Sequence, residues 1–175
     1  MAILGVDDFK SKLTGGGARA NMFKVTCNFP AYAQGDVELT SFMCKGAQLP
    51  ASIIAPIMVP FRGRQLQIAG DRTFEPWTVT VINDAEFVVR NSFERWMNGI
   101  NQHNANTGLV NPVDYQADMI VEQLRRDGTV AKRYDFRGTF PTNISAIDVN
   151  YDSENAIEEF TVELQVQYWE SDTTS

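Results

Sequence analysis

Glu159-Phe160-Thr161-Val162-Glu163-Leu164-Gln165-Val166-Gln167-Tyr168-Trp169 decides the fold class. In an extended chain Phe160, Val162, Leu164, Val166 and Tyr168 fall on one side, and Glu159, Thr161, Glu163, Gln165 and Gln167 on the other. That alternation predicts a strand with one face on a core and one on water. The same period of two begins at Met22, where Phe23, Val25, Cys27 and Phe29 alternate with Lys24, Thr26 and Asn28. Tyr115 to Arg125 and Val130 to Arg137 read as a long hairpin joined through Asp127-Gly128, a strong turn signal. Trp77 to Ile82 reads as a strand, and so does Arg64 to Ala69, ending at the turn pair Gly70-Asp71. Val37 to Gly46 is the remaining strand, after a turn at Pro30 to Gly35.

One helix stands out, over residues 83–100. Asn83 and Glu86 have capping-box spacing, Asp84 adds charge to the first turn, and Gly99 marks the stop. Val89, Phe93, Trp96, Met97 and Ile100 recur at helical spacing and form one apolar face. Residues 101–113 form a polar loop. Seven strand-like runs and one good helix predict a mainly antiparallel β-sandwich or barrel, with the helix packed on its side, in one domain spanning residues 1–175. Two segments stand apart. Residues 1–21 read as an arm, with a short helix over Asp7 to Leu13 broken by Gly15-Gly16-Gly17. Residues 48–63 read as an extended loop, because Pro50, Pro56 and Pro60 cannot donate to a ladder and exclude a central strand.

Composition removes several classes of function. The chain has 175 residues, 22 acidic and 15 basic side chains, and a formal net charge of −7. An acidic balance opposes binding of nucleic acid by phosphate neutralisation. With 43% hydrophobic residues the chain has the usual globular share and can bury a sizeable core. His103 is the only histidine and lies in a polar loop, so neither a catalytic triad nor a zinc site is expected. The glycine run lacks a following Lys-Ser/Thr and is no phosphate loop. Asp148, Asp152 and Glu154 lack calcium-loop spacing, and the pairs Asp7-Asp8 and Glu158-Glu159 read as solvated charges. No enzyme activity and no cofactor is expected. Cys27 and Cys44 read as reduced, half-buried thiols, the start Met1 to Asp8 is no signal peptide, and no stretch reaches membrane-spanning length.

Three segments, in order, resemble the tail tube protein of contractile-tailed bacteriophages. They are Cys44-Lys45-Gly46-Ala47-Gln48-Leu49-Pro50; Ile68-Ala69-Gly70-Asp71-Arg72-Thr73-Phe74 running on through Trp77 to Asp84; and Phe140-Pro141-Thr142-Asn143 followed by Tyr151-Asp152-Ser153 and Phe160 to Glu170. They cover nearly all of the chain from Met22 to Glu170. The glycine-rich start and Ala31 to Leu39 match the family pattern poorly. The resemblance implies a structural subunit of the virion, made in the host cytoplasm. Rings of six stack into a hollow tube, four strands per subunit line the lumen, and a contractile sheath surrounds it. The implied partners are further copies of the chain, the sheath protein, a baseplate tube-initiator, a tail terminator, a tape measure protein in the lumen, and DNA in passage. Type VI secretion tubes and contractile bacteriocin tubes are similar in fold.

Within that frame the apolar, proline-rich segment is assigned to the ring-to-ring contact, through Leu49, Pro50, Ile53, Ile54, Ile57, Met58, Val59 and Phe61, with Arg72 and Phe74 nearby. The competing expectation is that it folds back on its own sandwich. Asp118, Glu122, Glu159 and Glu163 are the acidic candidates for the lumen, where negative charge repels passing phosphates. The helix covers the sheet, and its other side faces a neighbouring subunit or the sheath. A tube of a related injection device, a tube-initiating paralogue and, in another class, a ligand-binding β-barrel are the alternatives.

Overall fold

The computed structural model describes residues 5–174. Its elements in chain order are α1 (Val6–Lys12), β1 (Phe23–Cys27), α2 (Val37–Met43), β2 (Cys44–Ala47), β3 (Ser52–Phe61), β4 (Arg64–Phe74), β5 (Trp77–Ile82), α3 (Val88–Ile100), α4 (Pro112–Tyr115), β6 (Ala117–Leu124), β7 (Val130–Ile144), β8 (Glu159–Gln165) and β9 (Tyr168–Ser171). Seven strands form an antiparallel system in the order β1-β6-β7-β8-β5-β2, with β9 added beside β7. The long strand β7 serves two layers. Its first half pairs with β6 and β9, and its second half pairs with β8. The result is a mainly β sandwich, with β1, β6, β7 and β9 on one side and β2, β5 and β8 on the other.

The alternating residues fill the space between the layers. Val25, Cys27, Trp77, Val79, Val81, Met119, Val121, Phe136, Phe160, Val162 and Leu164 are all buried there. Trp77 of one layer stacks on Phe136 of the other, with ring centroids 4.4 Å apart. Val89, Phe93 and Trp96 of α3 are buried as the helical period requires, and Phe29 meets Phe93 and Trp96 edge-on.

Several elements differ from the sequence reading. Val37 to Met43 is a helix. The Asp36 carboxylate accepts from Leu39 N at 2.9 Å, capping it, and Thr40 Oγ1 bonds back to Asp36 O. The inward residues are Leu39, Thr40 and Met43, a helical set that period-two counting misreads. Only Cys44 to Ala47 is strand, paired with β5. The main helix starts at Val88. Asp84, not Asn83, caps it, accepting from Val88 N at 3.0 Å and Val89 N at 3.3 Å. The helix also runs through Gly99 to Ile100, where the Tyr32 ring packs closely against the glycine. The last strand breaks after Gln165. Val166 remains buried, while β9 leaves β8 and joins β7, leaving Tyr168 half exposed.

The arm holds α1 as a fully exposed helix, broken before the glycine run. Met1 to Leu4 lie outside the described residues, and with them most of the apolar start read above as no leader. Both cysteines are free thiols. Burial holds the Cys27 thiol far above its ordinary range and pushes Cys44 up to about 11. No helix among the described residues is long and apolar enough to cross a membrane.

Candidate assembly surfaces

The segment read as a loop is the first strand of a long hairpin. Among the described residues β3 and β4 pair only with each other, and every residue of β3 is exposed. Arg62 and Gly63, both at positive φ, form the two-residue turn between the paired residues Phe61 and Arg64. Gly70-Asp71 does not end β4. Those two residues oppose the single Ala55, a bulge within a strand that continues to Phe74.

The prolines fit this strand for a geometric reason. The two-residue turn makes Phe61–Arg64 a hydrogen-bonded pair, and such pairs alternate along an antiparallel ladder. Pro60, opposite Gln65, and Pro56, opposite Ala69, therefore fall at the positions between, where an N–H points away from the partner. The ladder to β4 keeps its donors. The free edge of β3 loses two, which blunts pairing with a further strand.

Residues opposite each other across the ladder share a face. Ile57 with Ile68 and Val59 with Leu66 make one apolar face, which Phe61 and Ile53 extend. The other carries Ile54, Met58 and the prolines, among Gln65, Gln67 and Arg72. The large apolar side chains of the hairpin from Ile53 to Ile68 are 39–66% exposed. Burying the six on the first face from this half-exposed state is worth about 5–9 kcal/mol. A two-stranded hairpin is marginal in water by itself, so these faces call for a partner.

The base of the hairpin is tied to the sandwich. Trp77 Nε1 donates to Gln48 O at 2.7 Å and Trp169 Nε1 to Ala51 O at 3.1 Å. Phe74 packs edge-on against Trp169, with centroids 6.3 Å apart. Of the ten residues assigned to ring contact, Ile53, Ile54, Ile57, Met58, Val59, Phe61 and Arg72 lie on the exposed hairpin. Leu49 and Pro50 lie just before it, and Phe74 belongs to the anchor. Sequence reasoning missed Leu66 and Ile68, although their period-two spacing opposite an apolar segment was the available signal.

The four acids separate into two pairs. Asp118 and Glu122 lie on the outer face of β6. Arg137 Nη1 donates to Asp118 Oδ2 at 2.7 Å, and the other Asp118 oxygen accepts from Gly138 N at 3.1 Å. Glu122 stands 3.8 Å from Arg133, which also pairs with Asp135. These carboxylates hold both guanidiniums firmly charged. Glu159 and Glu163 lie on the outer face of β8 in the other layer, where Lys45 pairs with Glu159. The structure thus does not bring the four together. Asp118 also carries a role invisible in the sequence, pinning β7 at Arg137-Gly138, where that strand passes from one layer to the other.

This arrangement has relatives. A family model described as phage tail tube protein matches residues 18–172. The tail tube protein gp19 of Enterobacteria phage T4 is 38% identical over 168 residues, covering 94% of this chain and 99% of the relative. The tail tube protein of Serratia phage KSP90 is 30% identical over 165 residues, covering 91% and 93%. In fold, the chain is similar to a solved tube terminating cap of the anti-feeding prophage, with TM-score 0.65 and 17% identity over 91% of this chain and 92% of that one. It is likewise similar to a chain of the sheath-tube complex of an extracellular contractile injection system, with TM-score 0.58 and 14% identity over 92% and 95%. With a family match over residues 18–172 and relatives that match more than nine-tenths of its length, the chain belongs to the phage tail tube protein family.

Proposed function

We propose that this chain is the repeating unit of a hollow tail tube, in which six copies close a ring and the β3–β4 hairpin joins each ring to the next. The observation that carries this is the hairpin itself, long, rich in exposed apolar side chains on one face and without a strand partner among the described residues. A head-to-tail contact that does not close on itself generates a filament, and a tube is such a filament built of rings. The whole chain acts as one ring segment. The sheath protein, tube-initiator, terminator and tape measure protein are its proposed partners, and DNA passes without being held.

The lumen is lined by one of the two outer sheet faces, and so by one acidic pair, Asp118 with Glu122 or Glu159 with Glu163. A ring of six carries about −42 formal charge, six times the −7 of the chain. Phosphates in passage are repelled by the net negative field of the stacked rings, which favours passage over binding.

Electron microscopy and sedimentation of the purified chain test the proposal. Long hollow tubes are expected, and removal of residues 53–73 should leave rings or monomers. A chain that stays monomeric and takes up a small hydrophobic ligand, as a ligand-binding barrel does, would overturn it. Discrete single rings from the intact chain would instead identify a tube initiator.

A further inference from the structure

The hairpin and the most acidic loop of the chain leave opposite ends of the same sheet. β5 begins at Trp77 beside the base of the hairpin and ends at Ile82, and its register with β8 places Ile82 opposite Glu159. The segment 145–158, between β7 and β8, therefore lies at the end of the layer away from the hairpin. A head-to-tail stack needs a projecting element at one end and its receiver at the other.

The two elements are complementary in charge and alike in apolarity. The hairpin carries Arg62, Arg64 and Arg72 against Asp71, a net of +2. The loop carries Asp148, Asp152, Glu154 and Glu158 and no basic residue, and no Lys or Arg follows Arg137 anywhere in the chain. Val149, Tyr151 and Ile157 are well exposed on it, and with Asp148, Glu158 and Glu159 they line an open hollow of about 560 Å³, while Asp152 and Glu154 are exposed on the same loop. At the root of the loop Asn83, only 9% exposed, donates through Nδ2 to Glu158 Oε2 at 2.8 Å. The Asn83 Oδ1 meets no donor among the described residues. That acceptor is buried and lies outside the lining of the hollow.

We propose that segment 145–158 is the receiver for the hairpin of a second copy in the adjacent ring. Arg62 and Arg64 at the hairpin tip meet Asp152, Glu154 and Glu158, and Phe61 enters the hollow beside Tyr151 and Ile157. This rests on reading the hairpin as the ring-to-ring contact. Charge pairs that lose water on docking are coupled far more strongly than exposed ones, so they set register as well as affinity.

Charge reversal on the full chain tests it. The pair Arg62→Glu with Arg64→Glu and, separately, the pair Asp152→Lys with Glu154→Lys should each reduce sedimentable tube at least about tenfold, roughly one and a half kilocalories per mole or more of lost contact. Combining all four should restore tubes. If the hairpin pair stops stacking while the loop pair assembles like the parent, the receiver assignment is wrong and the hairpin reading stands. If the hairpin pair assembles normally, the hairpin reading itself falls. An oxidised tube of Arg62→Cys with Asp152→Cys supplies a readout independent of folding energetics. Cross-linked species longer than one ring are expected, and their absence in well-formed tubes would overturn the proposal.

Discussion

Replacing Gly70 with valine separates the behaviour of the hairpin from that of the body of the subunit. At the bulge, a Cβ added to Gly70 would lie 2.4 Å from Ala55 O and 3.0 Å from Ile57 Cγ1. Folded chains avoid Cβ contacts that short, and the nearer atom is a backbone carbonyl that cannot swing away without leaving its ladder. Gly70 is therefore needed for close approach of two backbones, a common role of glycine in a bulged strand. Overpacking of this kind costs about 1–3 kcal/mol. For a domain core that is tolerable. For a two-stranded hairpin of marginal stability it shifts the population of the paired arm roughly 5- to 150-fold.

The ladder of the body is not disturbed by this change, because among the described residues β3 and β4 pair with no other strand, and the ties to the body at Gln48, Ala51 and Phe74 lie on the base side of the bulge. Gly70→Val is accordingly expected to keep the thermal midpoint of the subunit within about 2 °C, since a domain this size moves about 2–4 °C per kcal/mol. Tube yield in a sedimentation assay, checked by microscopy, should fall at least about fivefold. Tubes at full yield would refute the argument that the bulge shapes the contact. A large fall in midpoint would refute the independence of the hairpin from the sandwich.

Trp77→Ala removes the stack on Phe136 and orphans Gln48 O, so calorimetry should show a loss of about 3–5 kcal/mol, or about 6–20 °C in midpoint. Trp77→Phe keeps most of that stack and should lose little more than the hydrogen bond, about 1 kcal/mol. Asp84→Ala removes the cap of α3 and should cost about 0.5–2 kcal/mol in a denaturant titration, whereas the exposed Glu86→Ala should be near neutral. Both thiols have raised pKa values, so at pH 8 the folded chain should resist alkylation and the denatured chain should react fully, by mass spectrometry. For the same reason stability held below the ordinary value of 9.0 should decline as pH rises toward about 11, because the unfolded thiols ionise first.

The sandwich was legible because its strands have one dry face and one wet face, and the residues say which. Trp77–Ile82 and the Asp127-Gly128 hairpin needed no tertiary knowledge. The misreadings share a cause, in that local patterns had two solutions and distant groups chose between them. Val37 to Met43 alternates well enough for a strand, yet Asp36 caps it and the core takes Leu39, Thr40 and Met43. Asn83 has cap spacing from Glu86, but Glu158, far along the chain, claims its side chain and Asp84 does the capping. Glu159 and Asp118 look alike as exposed strand acids. Only the passage of β7 from one layer to the other puts them on different faces.

The prolines restrict what the assembly surface can bind. An exposed, apolar strand with a free edge is a hazard, because any other edge can add to it. A tube subunit must nevertheless keep one such surface available until the next ring arrives. Placing Pro56 and Pro60 where their missing N–H groups would have faced outward leaves Met58 as the one outward donor between Ala55 and Phe61. Side-chain contact with a shaped receiver remains open, and ladder contact with an arbitrary strand is weakened. Prolines that exclude a central strand thus describe the kind of strand this is: paired inward, unpaired outward, and offered to a partner by its faces.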